Sequence, residues 1–198
     1  MNILFINNYD SFIYNLVNYF CQLEPKSNII IEDNNIPIDR VRSYSVDKII
    51  ISPGPGHPKY DTGTTIPIIK EFYSKVPILG ICLGHQTIIE AFGESPDIEY
   101  VGRAKLGPMH GKQSKIFHDQ ETIFKDISNP LMVIRYHSLA AKSNVLPQEL
   151  KISATADDGT IMAVRHKQFP VEGVQFHPES IMMKPDGMKL LRNFLEGK

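Results

Sequence analysis

Of the two cysteines in the 198-residue sequence, Cys82 stands in Gly80-Ile81-Cys82-Leu83-Gly84, between an apolar run and a helix-forming stretch. A G-x-C-x-G pattern at such a junction is a nucleophile elbow with sulfur in place of oxygen. Its glycines permit a sharp turn and a close approach of neighbouring chains. A helix N-terminus at Cys82 would favour the thiolate, since orphan N–H groups and the helix dipole stabilise negative charge there. The backbone N–H of Leu83 would then point at a developing oxyanion. Taken alone, the pattern is only moderately specific, with a buried structural cysteine in a glycine-punctuated turn as its rival. A thiolate nucleophile also needs a base with an orienting partner, and Gln175-Phe176-His177-Pro178-Glu179 offers both after the apolar run Val171–Phe176. On an extended chain residues i and i+2 face one side, so the Glu179 carboxylate can reach the His177 ring and stabilise its imidazolium. A lone His-x-Glu reads as a surface polar pair. Cys82 and this pair in one chain, each at a strand end, point to a joint site.

The elements that must position these groups alternate in the first half. Ile3–Ile6, Asn28–Glu32, Lys48–Ser52 and Val76–Ile81 read as apolar strands. The intervening helices are predicted from Asp10 or Ser11 to about Leu23, around Ile66–Tyr73 and over Gly84–Phe92. In the first helix Phe12, Leu16 and Tyr19 recur at helical spacing, and Cys21 is expected to be a small buried hydrophobe. The runs NIIIE and KIIIS are continuous enough for strands covered on both faces. Extended segments dominate later, at Lys112–Phe117, Met132–Arg135, Leu150–Thr155, Thr160–Arg165 and Val171–Phe176, before a last helix over Pro185–Leu195. The expected fold is α/β: an open, mostly parallel central sheet with helices on both faces, plus a smaller strand-rich part in the second half, forming a single domain over residues 1–198. Ligands of such sheets gather at the carboxyl ends of the strands.

With 42% hydrophobic and 22% charged residues and a net charge of −1, the chain has no basic field for nucleic acid or anionic membrane. No apolar run reaches the roughly 20 residues that span a bilayer, and the N-terminus lacks a signal peptide's basic region, so the expected location is cytoplasmic. Two cysteines without metal-site spacing predict neither a disulfide framework nor a metal site. The loop Pro53–Pro58 (PGPGHP) follows a strand. Its glycines and prolines fix either a rigid loop with exposed N–H groups or an ordinary tight turn. His137-Ser138 reads as plain loop, His110 is not placed in the site, and His57, His85, His118 and His166 read as solvated or structural.

GICLGHQ, SPGPG and GVQFHPES, in this order, resemble the class I, triad-type glutamine amidotransferases over nearly the whole chain. The resemblance implies Cys82 as nucleophile, His177 as acid–base and Glu179 as its orienter, acting on L-glutamine through a thioester without a metal or organic cofactor in this chain. It implies that Gln86 contacts glutamine, and that Gly54, Pro55 and Gly56 supply backbone groups and, with Leu83, the oxyanion donors. Ser138 and Leu139, in RYHSL, match the segment that holds the glutamine α-carboxylate and amine. NNYDSFIYN and MHGK further resemble the glutaminase subunits of chorismate-utilising synthases. These imply a large chorismate-binding partner, with its own Mg²⁺, that makes anthranilate or alternatively aminodeoxychorismate. Asn7 departs from the Asp usual in that family, and Glu94–Gly102 is longer than usual. A catalytically idle regulatory subunit is opposed by retention of the triad, and a nucleotide-binding module by the lack of G-x-G-x-x-G or a Walker loop.

Overall fold

The apolar segment Asn2–Asn7 (β1) has Ile3, Leu4, Phe5 and Ile6 all fully buried, which is possible only for a strand with cover on both faces. The computed structural model describes residues 1–197. After β1 come α1 (Ile13–Leu23), β2 (Asn28–Asp33), α2 (Ile38–Ser43), β3 (Lys48–Ile51), α3 (Thr65–Phe72), β4 (Ile78–Ile81) and α4 (Leu83–Ala91). The second half contains β5 (Val101–Arg103), β6 (Lys112–His118), β7 (Leu131–Arg135), β8 (Leu139–Ala141), β9 (Leu150–Ala156), β10 (Ile161–His166), β11 (Val171–Val174) and α5 (Asp186–Glu196).

One sheet runs β2-β1-β3-β4-β11-β10-β9-β6-β7. Its pairings are parallel from β2 through β11 and antiparallel from there to β7. The strand-rich second half therefore continues the α/β sheet, and only β5 and β8 pair separately. Alternation along β1 divides the core. Ile3 and Phe5 pack with Ile13, Leu16 and Phe20 of α1 and with Leu190, Leu191 and Phe194 of α5. Leu4 and Ile6 pack on the other face with Val41 of α2, Ile68 and Ile69 of α3, and Ile88 and Ile89 of α4. Phe5 and Phe20 meet edge to face with centroids 5.3 Å apart.

Register places the chemistry. Ile6 lies opposite Ile51, Ile51 opposite Gly80, and Ile81 opposite Val174. Four parallel strands thus end together, and the residues that follow each of them converge at one edge.

Several expectations need correcting. Cys21 is exposed rather than buried, because it shares a helical face with Tyr14 and Asn18 at i−7 and i−3, opposite the stripe of Ile13, Leu16 and Phe20. Phe12 is likewise exposed; it is the N-cap of α1, which has no side-chain cap from Asp10 or Ser11. β2 is an edge strand paired only with β1; Ile29 packs on one core and Ile30 on the other, but neither is fully buried and Ile31 is exposed, so the run NIIIE is only partly covered on its two faces. The short α2, β5 and β8 went unread, as six or three residues are too few to show periodicity.

Candidate active site

Cys82 follows β4 directly and adopts φ 54°, ψ −103°, a region that non-glycine residues rarely occupy. Its N–H donates to the Val174 carbonyl of β11 at 2.8 Å, and its carbonyl receives the Gln86 N–H at 3.1 Å, so both sides of the elbow are tied into regular structure. Strain of this kind persists only where the surroundings over-determine it. The flanking glycines supply that constraint: a Cβ on Gly84 would lie 2.3 Å from the Ile51 carbonyl oxygen, and one on Gly80 2.4 Å from the Gly84 carbonyl oxygen. The Leu83 N–H at the first turn of α4 has no helical acceptor, as for any helix start.

The His177 Nδ1 to Glu179 Oε1 distance is 2.6 Å, with both side chains buried. The route differs from the extended chain expected: β11 ends at Val174, and His177–Ser180 form a turn in which Ser180 N–H donates to the His177 carbonyl at 3.1 Å. Burial disfavours the imidazolium, but the nearby Cys82 sulfur and the hydrogen bond and charge of Glu179 outweigh it, raising His177 well above the usual 6.5. Nε2 is buried without a hydrogen bond of good geometry, and the Cys82 sulfur is the group whose proximity acts on it.

Cys82, His177, Glu179, Gly54 and Pro55 line one cavity of about 830 Å³. Gly54 is pressed against Asn8, whose N–H and side chain are bonded to Ser52 at 2.9 and 3.0 Å. Gly56, at φ +96°, turns the loop over the Asp61 carboxylate, which accepts the His57 N–H at 2.7 Å. Gly56, Leu83, Gln86, Ser138 and Leu139 do not line the cavity. Gln86 is buried, its amide nitrogen donating to the Leu139 carbonyl at 3.0 Å and to Gln175 Oε1 at 2.9 Å. Ser138 is exposed, and its carbonyl accepts the Ala104 N–H.

Sequence reasoning missed the wall formed by Tyr9, Asp10, Ser11 and Phe12. Their signal was a polar cluster directly after the first parallel strand, where ligands gather. Burial raises the Asp10 carboxyl pKa, partly offset by the charge of His177. Asn7, in place of the usual Asp, donates to Asp33 at 3.1 Å and accepts the Tyr9 N–H at 2.9 Å. An aspartate could do only the second and would repel Asp33.

His85 is buried, the structural one of its two alternatives, and His137 is buried within the loop between β7 and β8. Burial pushes His85 down to about 3 and His137 down to about 4. A depressed histidine contributes stability that is present above its unfolded value and lost as pH falls toward the folded one, because the unfolded chain alone takes the proton. His177, being raised, acts the other way and only above about pH 6.5, so it does not compete in acid. The stability of wild type relative to His85→Leu is therefore expected to fall by about 1.4 kcal/mol per pH unit from pH 6 to pH 4. Urea midpoints across that range measure it. A constant difference would mean that His85 protonates freely in the folded chain.

No group of three or more His, Cys, Asp or Glu side chains suited to a metal ion occurs among the described residues, and none of the described helices is long and apolar enough to cross a membrane. The family profile described as glutamine amidotransferase class-I matches residues 4–197. The chain is 52% identical over 204 residues to anthranilate synthase component 2 of Methanocaldococcus jannaschii, covering 99% of this chain and 97% of that one. It is 46% identical over 194 residues to aminodeoxychorismate/anthranilate synthase component 2 of Bacillus subtilis, covering 98% and 95%. A solved glutamine amidotransferase of Thermotoga maritima shares the fold at TM-score 0.74 and 19% identity, covering 99% of this chain and 96% of that one.

Proposed function

The chain belongs to the class I glutamine amidotransferases, and from that premise we propose that it hydrolyses L-glutamine through a Cys82 thioester and passes ammonia to a chorismate-utilising partner that makes anthranilate. The observation that carries the chemistry is the strained Cys82 elbow sharing one cavity with a His177–Glu179 pair at 2.6 Å. Cys82 sulfur attacks the side-chain amide carbon, and the oxyanion is received by the Leu83 N–H and the Gly54–Gly56 loop. The imidazolium of His177 protonates the leaving nitrogen, which departs as ammonia. Water, deprotonated by His177, then cleaves the thioester to glutamate and returns the sulfur. The family resemblance assigns Gln86 to contact glutamine and Ser138 and Leu139 to its α-carboxylate and amine, although none of the three lines the cavity. Sulfur, imidazole and backbone amides suffice for these steps, so we expect no cofactor in this chain and assign Mg²⁺ to the partner's chorismate chemistry.

The partner follows from the surface around the cavity. Tyr9, Phe12, Ile181 and Met182, more than half exposed, stand along its wall. Apolar groups gathered at one mouth mark an interaction site. A partner seated there would receive ammonia before it meets water and is protonated. The Bacillus subtilis relative, whose name carries both products, supports a second reading in which one subunit serves both synthases.

Mixing the chain with the large subunit of each synthase and measuring product and glutamate tests the assignment. Anthranilate formation from glutamine is expected, with glutaminase activity rising on assembly. Activation by the aminodeoxychorismate partner alone would overturn the product, and full glutaminase activity without any partner would sink the coupling. A glutamine-like diazo-ketone is expected to label Cys82 and spare Cys21, although Cys21 is the more exposed thiol. An adduct mapped only to Cys21 contradicts the site.

A further inference from the structure

Gln175 is fully buried beside the nucleophile, between the end of β11 and the His177 turn. Its Nε2 lies 3.7 Å from Cys82 Sγ, within reach of a hydrogen bond to sulfur, and its Oε1 accepts the Gln86 amide at 2.9 Å. The same Gln86 nitrogen donates to the Leu139 carbonyl at 3.0 Å. That carbonyl also faces His137 Nδ1 at 2.8 Å, while His137 Nε2 accepts from Arg135 Nε at 3.0 Å. Arg135 is anchored in turn on Asp158 at 2.7 Å. The chain of bonds has only one workable polarity. An arginine can only donate, so His137 must accept at Nε2 and carry its proton on Nδ1. A carbonyl can only accept, so Gln86 must turn its NH₂ toward Leu139 and Gln175. Gln175 must then present its oxygen to Gln86, which leaves its NH₂ for the sulfur.

We propose that Gln175 is a positioning residue, donating a hydrogen bond to the Cys82 sulfur and holding it for attack, with its orientation set through Gln86 by the Leu139 carbonyl. The inference rests on Cys82 being the nucleophile. A neutral donor at the sulfur restrains it in addition to the imidazole, and its bond strengthens when the sulfur is anionic. It also assigns the Gln86 amide nitrogen to the protein itself. The titratable groups sharing the cavity with Cys82 are Asp10, His177 and Glu179, with Lys184, Tyr9, Tyr19 and Tyr136 in its wall, and Gln175 adds no charge to them.

The test measures the pH dependence of iodoacetamide alkylation of Cys82 in the full chain, in a Cys21→Ser background, with the adduct mapped by mass spectrometry. Gln175→Met keeps length and removes the donor; the alkylation midpoint is expected to move upward by about one pH unit, as for a lost bond to a charged group. Gln175→Glu keeps the acceptor for Gln86 but sets a carboxylate against the sulfur, so its midpoint is expected to move further. It also serves as the test if the methionine variant does not fold. In the assembled enzyme the same variants should lower kcat for glutamine about tenfold or more and leave KM within a few-fold. Alkylation profiles that superimpose on the parent, or a rise in KM alone, overturn the role of Gln175. Retention of glutamine turnover by Cys82→Ser would instead overturn the nucleophile on which it rests.

Discussion

Cys82→Ser is expected to abolish glutamine-dependent synthesis by the assembled enzyme, by about 10⁴-fold or more, while synthesis from added ammonia continues. A serine hydroxyl on the same elbow stays a neutral, weak nucleophile, whereas sulfur is intrinsically far more nucleophilic and has the His177–Glu179 pair beside it. Ammonia bypasses the thioester altogether and needs only the partner's site. The two activities should therefore separate cleanly. Measuring both on one folded complex, at alkaline pH where more ammonia is free base, decides the point. A parallel fall in both would make Cys82 a structural residue of the interface. Cys21→Ser, on the exposed side of α1, should leave glutamine turnover within a few-fold.

Gly84→Ala is expected to damage both stability and turnover severely. Its Cβ would stand 2.3 Å from the Ile51 oxygen and 2.9 Å from the Ile51 carbonyl carbon, both backbone atoms of a fully buried strand. Neither can swing away as a side chain would, so α4 must lift from β3. Overpacking of this kind costs about 3 kcal/mol or more. The same lift moves Cys82 and the Leu83 N–H relative to His177. A displacement of about 1 Å there loses roughly 10²-fold in rate. Gly159→Ala is the control: nothing lies within 4 Å of its Cβ, and the cost of its φ of +76° is local. Thermal melts and glutamine turnover of the two variants separate the effects. Wild-type stability and turnover in Gly84→Ala would mean that the elbow does not need its close helix–strand contact.

The sequence by itself was enough for the elbow at Cys82 and the class of fold. Gly80, Cys82 and Gly84 are local: the requirement for a tight turn with a close neighbour is written in the residue types that make it. The helix–strand alternation was legible for the same reason, since periods of two and near four are properties of adjacent residues. His177 and Glu179 were paired correctly because only two positions separate them, although a turn rather than a strand brings them together.

What only the tertiary structure decided is everything that depends on register between distant segments. The ends of β1, β3, β4 and β11 are flush because Ile6, Ile51, Gly80, Ile81 and Val174 pair across the sheet, which no local pattern encodes. That register turns Tyr9–Phe12 from a family signature into a wall of the site. It puts Gln175, 93 positions from Cys82, beside the sulfur, and buries His85 and His137 as neutral groups. It also leaves Cys21 in solvent, because one thiol in an amphipathic helix follows whichever face the rest of the stripe buries. A side chain's type limits the bonds it can make, whereas its partner is chosen by packing over long sequence distance. The elbow at Cys82 could thus be read from five consecutive residues, while the groups packed around it could not.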